Sequence, residues 1–123
     1  MLALNGDDQL IAEGDEFGNI CVWRSDIEEK NTPFVILKYS GQVYDVEFII
    51  TNKTKLLLSL HQGMTDMKST LIVTDLVSRR AIMTIPMDIH CRKICVHPNN
   101  RNVSVISIKQ DFNKVELVIS LVF

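Results

Sequence analysis

The chain has 123 residues, 46% of them apolar and 23% charged, with 5 glycines and 3 prolines. That balance excludes a disordered, collagen-like or low-complexity chain, and the length suits one domain with a real core. Thirteen basic residues against fifteen acidic ones, a net charge of −2, leave no electrostatic footprint for nucleic acid or an anionic membrane surface.

The start of the chain, Met1-Leu2-Ala3-Leu4-Asn5-Gly6-Asp7-Asp8, has neither the basic region nor the long apolar stretch of a signal peptide. Leu2-Ala3-Leu4 reads as a strand, and Leu10-Ile11-Ala12-Glu13-Gly14 as the next. Glu16-Phe17-Gly18 is turn chemistry, and Asn19-Ile20-Cys21-Val22-Trp23 then alternates with period two. Residues 26–31 are read as a charged loop. After Ser40-Gly41, the segment Val43-Tyr44-Asp45-Val46-Glu47-Phe48 places Tyr44, Val46 and Phe48 on one face, with Asp45 and Glu47 on the other. Residues 55–60, 70–74, 81–85 and 102–108 are short β-branched or leucine-rich runs bounded by polar residues. The longest apolar stretch, residues 115–123, is far short of the roughly 20 residues that span a bilayer. No window sustains a 3.6-residue period, so the reading is all-β with about ten short strands. Three cysteines, Cys21, Cys91 and Cys95, make an odd count and point to reduced thiols in an intracellular, cytoplasmic protein.

The pattern repeats at nearly fifty residues. Val43-x-x-Val46-x-Phe48 recurs 48 positions on as Cys91-x-x-Ile94-x-Val96. Residues 10–14 align with 56–60, and residues 20–23 align with 71–74 and again with 117–120. The unit is four strands, a to d, and a loop. Gln9 to Trp23, with its strand, tight turn, Gly18 and closing tryptophan, resembles a WD40 repeat. Ser40 to Phe48 is similar to that family's strand-a opening, and Cys95-Val96-His97-Pro98-Asn99-Asn100 to the turn after it.

The resemblance implies a partial WD40-type β-propeller of about two and a half four-stranded antiparallel blades. Residues 1–40 would form a partial blade, 41–87 a full one and 88–123 another partial one. The signature is divergent. Lys38-Tyr39 stands where the family has Gly-His, and the Trp-Asp pair is split between Trp23-Arg24 and Thr74-Asp75. The family's buried network is thus incomplete: the resemblance gives Ser59 its serine position, with Tyr39 in place of the histidine, Asp75 as the retained half of the Trp-Asp pair and Trp23 as a wedge between blades. A propeller needs at least four blades of roughly 40 residues. The chain therefore reads as a fragment of a larger propeller, completed by flanking repeats or by another chain.

Candidate chemistry is sparse. His90, Cys91, Cys95 and His97 suggest zinc, with Cys91, Cys95 and His97 sharing a strand face. Cys91 nevertheless occupies the slot of Val43, a packed apolar position, so core packing is expected and no metal. Asp7, Asp8, Glu13, Asp15 and Glu16 lack the alternating oxygen ligands of a calcium loop. His61 is read as structural, and Arg79-Arg80 as a solvated turn pair. No nucleotide-binding or hydrolase motif occurs, so neither catalysis nor a cofactor is expected.

The d–a and b–c loops of a propeller gather on one rim, which here would bring together Asp15, Glu16, Phe17, Tyr39, Gln42, Met64 and Met67 as partner-binding residues. The resemblance thus implies a non-catalytic scaffold that binds other proteins, similar to the large WD-repeat proteins of cilia and flagella and so placed at a cilium or the cytoskeleton. The alternatives are a self-contained β-sandwich binding module and an enzyme on an all-β scaffold.

Overall fold

The structure, a computed structural model, describes residues 2–4, 10–24, 33–63, 68–108 and 114–122. Among them it is all-β, with eleven strands in three antiparallel sheets. The first sheet joins β1 (Leu2–Leu4), β2 (Leu10–Gly14), β3 (Asn19–Arg24) and β4 (Val35–Lys38) in chain order. The second joins β5 (Val43–Ile50), β6 (Lys55–Gln62), β7 (Ser69–Asp75) and β8 (Arg80–Pro86) in the same way. The third holds β9 (Lys93–Val96), β10 (Asn102–Ile108) and β11 (Lys114–Ser120). No helix among the described residues is long and apolar enough to cross a membrane. The strand total is one more than the sequence count of ten, because β4 is a four-residue strand whose period is too short to see.

The second sheet lies between the other two. One core joins Leu10, Ala12, Ile20, Val22, Val35 and Leu37 of the first sheet to Val46, Phe48 and Leu57 of the second. The other joins Leu56, Leu58, Leu60, Leu71 and Val73 of the second to Ile94, Val103 and Val105 of the third. Burial of both faces explains why β6 reads Leu-Leu-Leu-Ser-Leu instead of alternating. The sheets approach most closely at their first strands, with β5 beside β1 and β9, and fan apart toward β4, β8 and β11.

Asp45 and Glu47 do sit opposite Val46 and Phe48, but their face meets the third sheet rather than water. Asp45 is buried. Its Oδ1 accepts the Val46 amide at 3.0 Å, and its Oδ2 accepts the Ile94 amide of β9 at 2.8 Å. β9 is an edge strand, so this carboxylate satisfies an amide that has no partner strand. Burial pushes the Asp45 carboxyl pKa up, against the opposing pull of the Ile94 and Val46 amides.

The registers also correct one alignment. Val46 faces Ser59, which faces Ile72, while Ile94 faces Val105, which faces Leu117. Leu117 therefore matches Ile72 and not Leu71. The slip is a single residue, which in a strand exchanges the two faces.

Replacing Asp45 with Ala leaves the Ile94 amide buried without an acceptor, and should lower the unfolding free energy by about 1–3 kcal/mol in urea denaturation. Asn, which keeps one acceptor oxygen, should cost less than Ala.

Candidate functional site

One rim of the stack gathers the β2–β3 turn, the β4–β5 connection, the ends of the β6–β7 loop and the β8–β9 connection. Backbone hydrogen bonds tie them together. Tyr39 N–H donates to Gly18 O, Val43 N–H to Asp15 O, Gln62 N–H to Gln42 O and Ser69 N–H to Ile89 O. Two glycines make the close approaches possible. Gly18 (φ 95°) and Gly41 (φ 88°) take left-handed conformations, and a Cβ would lie 2.3 Å from Tyr39 O at Gly18 and 2.0 Å from Gln62 O at Gly41.

Within the β2–β3 turn, Asp15 spends its carboxylate on the chain itself. Oδ1 accepts the Phe17 amide at 2.8 Å and the Asn19 amide at 2.9 Å, and Oδ2 accepts Asn19 Nδ2 at 3.0 Å. The Asn19 side chain, then its amide, holds the carboxyl pKa below the usual value. What the turn offers outward is Glu16 and Phe17, the latter 72% exposed. Gln42 is also exposed, whereas Tyr39 is half-buried. Met64 and Met67 lie outside the described residues, as do Asp7 and Asp8.

Beneath the rim lies a polar cluster between the first and second sheets. The Tyr39 hydroxyl and Thr74 Oγ1 are 2.7 Å apart, and the Tyr39 ring meets the His61 ring edge-on at 5.6 Å. His61 is buried, with Nδ1 3.3 Å from Gly41 O and Nε2 2.8 Å from Ser59 Oγ. A carbonyl only accepts, so Nδ1 carries the proton and Nε2 accepts from the Ser59 hydroxyl. Burial holds the His61 pKa below its ordinary 6.5. Asp75, by contrast, closes the β7–β8 turn. Its Oδ1 accepts the Val77 amide and its Oδ2 the Ser78 hydroxyl, both at 3.1 Å.

A second rim cluster escaped the sequence reading. The Tyr44 hydroxyl donates to Gln62 Oε1. Its ring meets the His90 ring edge-on at 4.9 Å, and the Arg92 guanidinium sits 5.6 Å from its centroid. Arg92 Nε donates to His90 Nε2 at 3.1 Å. The register shifts between Val43 and Asp45, which takes Tyr44 off the face that Val46 and Phe48 share.

Trp23 does not wedge between described sheets. It pairs with Ile11 on the face of the first sheet that points away from the second, and it is half-buried. The zinc-like residues are separated too. Cys91 precedes β9 and is buried in the second core, while Cys95 pairs with Ser104 on the far face of the third sheet. The even spacing misleads because β9 begins only at Lys93, so strand parity does not reach back to Cys91. Among the described residues no three His, Cys, Asp or Glu side chains converge on a metal position. All three cysteines are free thiols.

Ser104 Oγ donates to Glu116 Oε1 at 2.5 Å and lies 2.8 Å from His97 Nε2. The serine proton is committed to the carboxylate, so His97 is the donor and no nucleophile–base pair is formed. On the opposite rim, Thr51, Lys53, Thr54, Asn99, Asn100 and Arg101 line an open groove of about 440 Å³ that contains no acid–base pair. No protein-family model matches the chain, and no curated protein matches its sequence.

The His61 pKa is depressed in the fold, so the unfolded chain binds more protons as pH falls. Its contribution to stability is complete above the unfolded value of 6.5 and is lost below it. The urea midpoint should therefore drop between about pH 7.5 and about pH 5.5, and His61→Gln should flatten that slope. Asp45 and Glu47, both raised by burial, act with the opposite sign at lower pH.

Proposed function

We propose that the chain is a WD40-type repeat region serving as a non-catalytic protein–protein interaction scaffold, with partners held on the Asp15–Gln42–Arg92 rim. The observation that carries this reading is the shared strand order and register. Leu10-Ala12-Gly14 face Arg24-Val22-Ile20 in the first sheet just as Leu56-Leu58-Leu60 face Asp75-Val73-Leu71 in the second. Sheets that meet along their first strands and fan outward are what a propeller sector requires.

The buried cluster supports the same reading. The polar roles that the family fills with its own set fall here to Tyr39, Ser59, His61 and Thr74, and hydrogen bonds join them in pairs. A two-sheet sandwich fits poorly with a middle sheet buried on both faces. A placement in cilia rests on the sequence resemblance alone.

The rim is favoured for binding because it offers aromatic, amide and guanidinium groups on turns that the strands hold rigidly. Phe17 at 72% and Val77 at 76% exposure are large apolar side chains on opposite rims, which makes them a matched pair. Phe17→Ser should deplete bound partners in a quantitative pull-down without moving the melting midpoint, and Val77→Ser should leave them in place. Unchanged partners with Phe17→Ser, or equal loss from both variants, would remove this rim from the proposal.

A further inference from the structure

The open groove on the rim away from Asp15, Gln42 and Arg92 lies between two turns of the same kind. Residues 51–54 join β5 to β6, and residues 97–101 join β9 to β10. In each turn a side-chain oxygen holds the backbone that follows it. Thr51 Oγ1 accepts the Lys53 amide at 3.2 Å and the Thr54 amide at 3.0 Å. Asn99 Oδ1 accepts the Arg101 amide at 2.9 Å and the Asn102 amide at 3.0 Å. The space of about 440 Å³ between them is lined by Thr51, Lys53, Thr54, Asn99, Asn100 and Arg101.

These bonds decide what the lining offers. A hydroxyl oxygen has two lone pairs, and the amides of Lys53 and Thr54 fill those of Thr51. The Thr51 proton therefore goes to Thr54 Oγ1, 2.6 Å away, and the Thr54 proton is left to donate elsewhere. With Asn99 Oδ1 committed to two amides, Nδ2 is the end of that side chain left for a ligand. Asn100 adds an amide that can turn its own Nδ2 inward. Lys53 and Arg101, both exposed, bring an ammonium from one turn and a guanidinium from the other.

Among the described residues no carboxylate lines this groove. The adjoining hollow shares Lys53 and Thr54 and adds Lys55 and Asp75. Both Asp75 oxygens are already held, by the Val77 amide and the Ser78 hydroxyl. The chain as a whole is slightly acidic, yet this part of its surface gathers cations and donors with their acceptors turned inward.

We propose that the groove binds a terminal phosphoryl group, free or as a monoester, held by Lys53, Arg101, the Thr54 hydroxyl and Asn99 Nδ2. A phosphoryl dianion carries two charges and three oxygens that only accept, which matches cations and donors arriving from two walls. A carboxylate has one charge and two oxygens in one plane, so a single cation satisfies it. A phosphodiester has one charge, and its second substituent takes the place of an accepting oxygen. The open side of the groove lets an ester carbon leave toward solvent. This site shares no residue with the partner rim and does not depend on the repeat reading, so either can fail without the other.

The test is isothermal titration of the full chain with inorganic phosphate, phenyl phosphate, dimethyl phosphate and acetate at constant ionic strength. At about pH 7.5 the phosphate monoester is mostly a dianion. Expected is saturable binding of both inorganic and phenyl phosphate at a single site, with dimethyl phosphate and acetate weaker by about tenfold or more. Lys53→Gln and Arg101→Gln should each weaken phosphate by about tenfold. Asn99→Asp keeps the oxygen that holds the turn but replaces the donor with a negative charge, so it should abolish binding without moving the melting midpoint. Lys38→Gln, at the end of β4 on the other rim, should change nothing.

Binding of inorganic phosphate with rejection of phenyl phosphate would assign the groove to the free anion, and binding of both would assign it to monoesters as well. Acetate or dimethyl phosphate bound as tightly as phosphate would overturn the proposal. So would the absence of saturable phosphate binding, or binding that survives both Asn99→Asp and the Lys53→Gln/Arg101→Gln double change.

Discussion

Everything in this structure follows from burying both faces of one sheet. β5, β6 and β7 turn aliphatic side chains to both sides, so no single partner layer can satisfy them. Leu57, Leu58 and Leu60 are fully buried, and they belong to two separate cores. Each such side chain removed from water contributes on the order of 1.5–3 kcal/mol, which is large against the stability of a chain this size. The flanking sheets are therefore required by the middle one. Their alignment along the first strands follows from the chain meandering outward through each sheet before crossing to the next.

The same constraint decides the polar chemistry. A carboxylate on β5 would ordinarily face water in a half-buried antiparallel strand. Here its face is taken by the third sheet, and Asp45 remains tolerable because the Val46 and Ile94 amides meet its two oxygens. His61, Ser59, Tyr39 and Thr74 solve the equivalent problem on the opposite face. Their hydrogen bonds use the neutral imidazole, which is the form that burial favours. Both clusters sit where successive sheets meet, so they specify how the sheets align as well as satisfying their own polarity.

What the sequence made legible was periodicity. The strands, the turn at Gly18 and the near-fifty-residue recurrence depend on local patterns, and local patterns are written in adjacent residues. What it hid was parity at strand ends. A register shift at Tyr44 and a strand start at Lys93 each broke the simple count by twos, moving Tyr44 to the rim and placing Cys91 and Cys95 on different sides. The one-residue slip at Leu117 has the same origin, since valine, leucine and isoleucine on both sides of β11 give an alignment no preferred phase. The role of His61 was hidden for another reason. Its contact with Ser59 is local, two residues back on the same face, but the carbonyl that meets its Nδ1 belongs to Gly41, far back in the chain.

The rim owes its character to how its polar groups are divided between inward and outward use. Asp15 looks like a binding carboxylate in sequence, but three hydrogen bonds to Phe17 and Asn19 make it the frame of its turn. Tyr39 likewise faces inward, to Thr74 and His61. The groups that the rim turns outward are Glu16, Phe17 and Gln42 at one end and the Tyr44–Arg92 stack at the other. A guanidinium already held over the Tyr44 ring and bonded to His90 would lose little side-chain freedom on binding. On the proposed reading as a binding scaffold, this separation of rigid framing groups facing inward from groups facing outward is what such a surface needs, and it arises from the hydrogen bonding of the turns themselves.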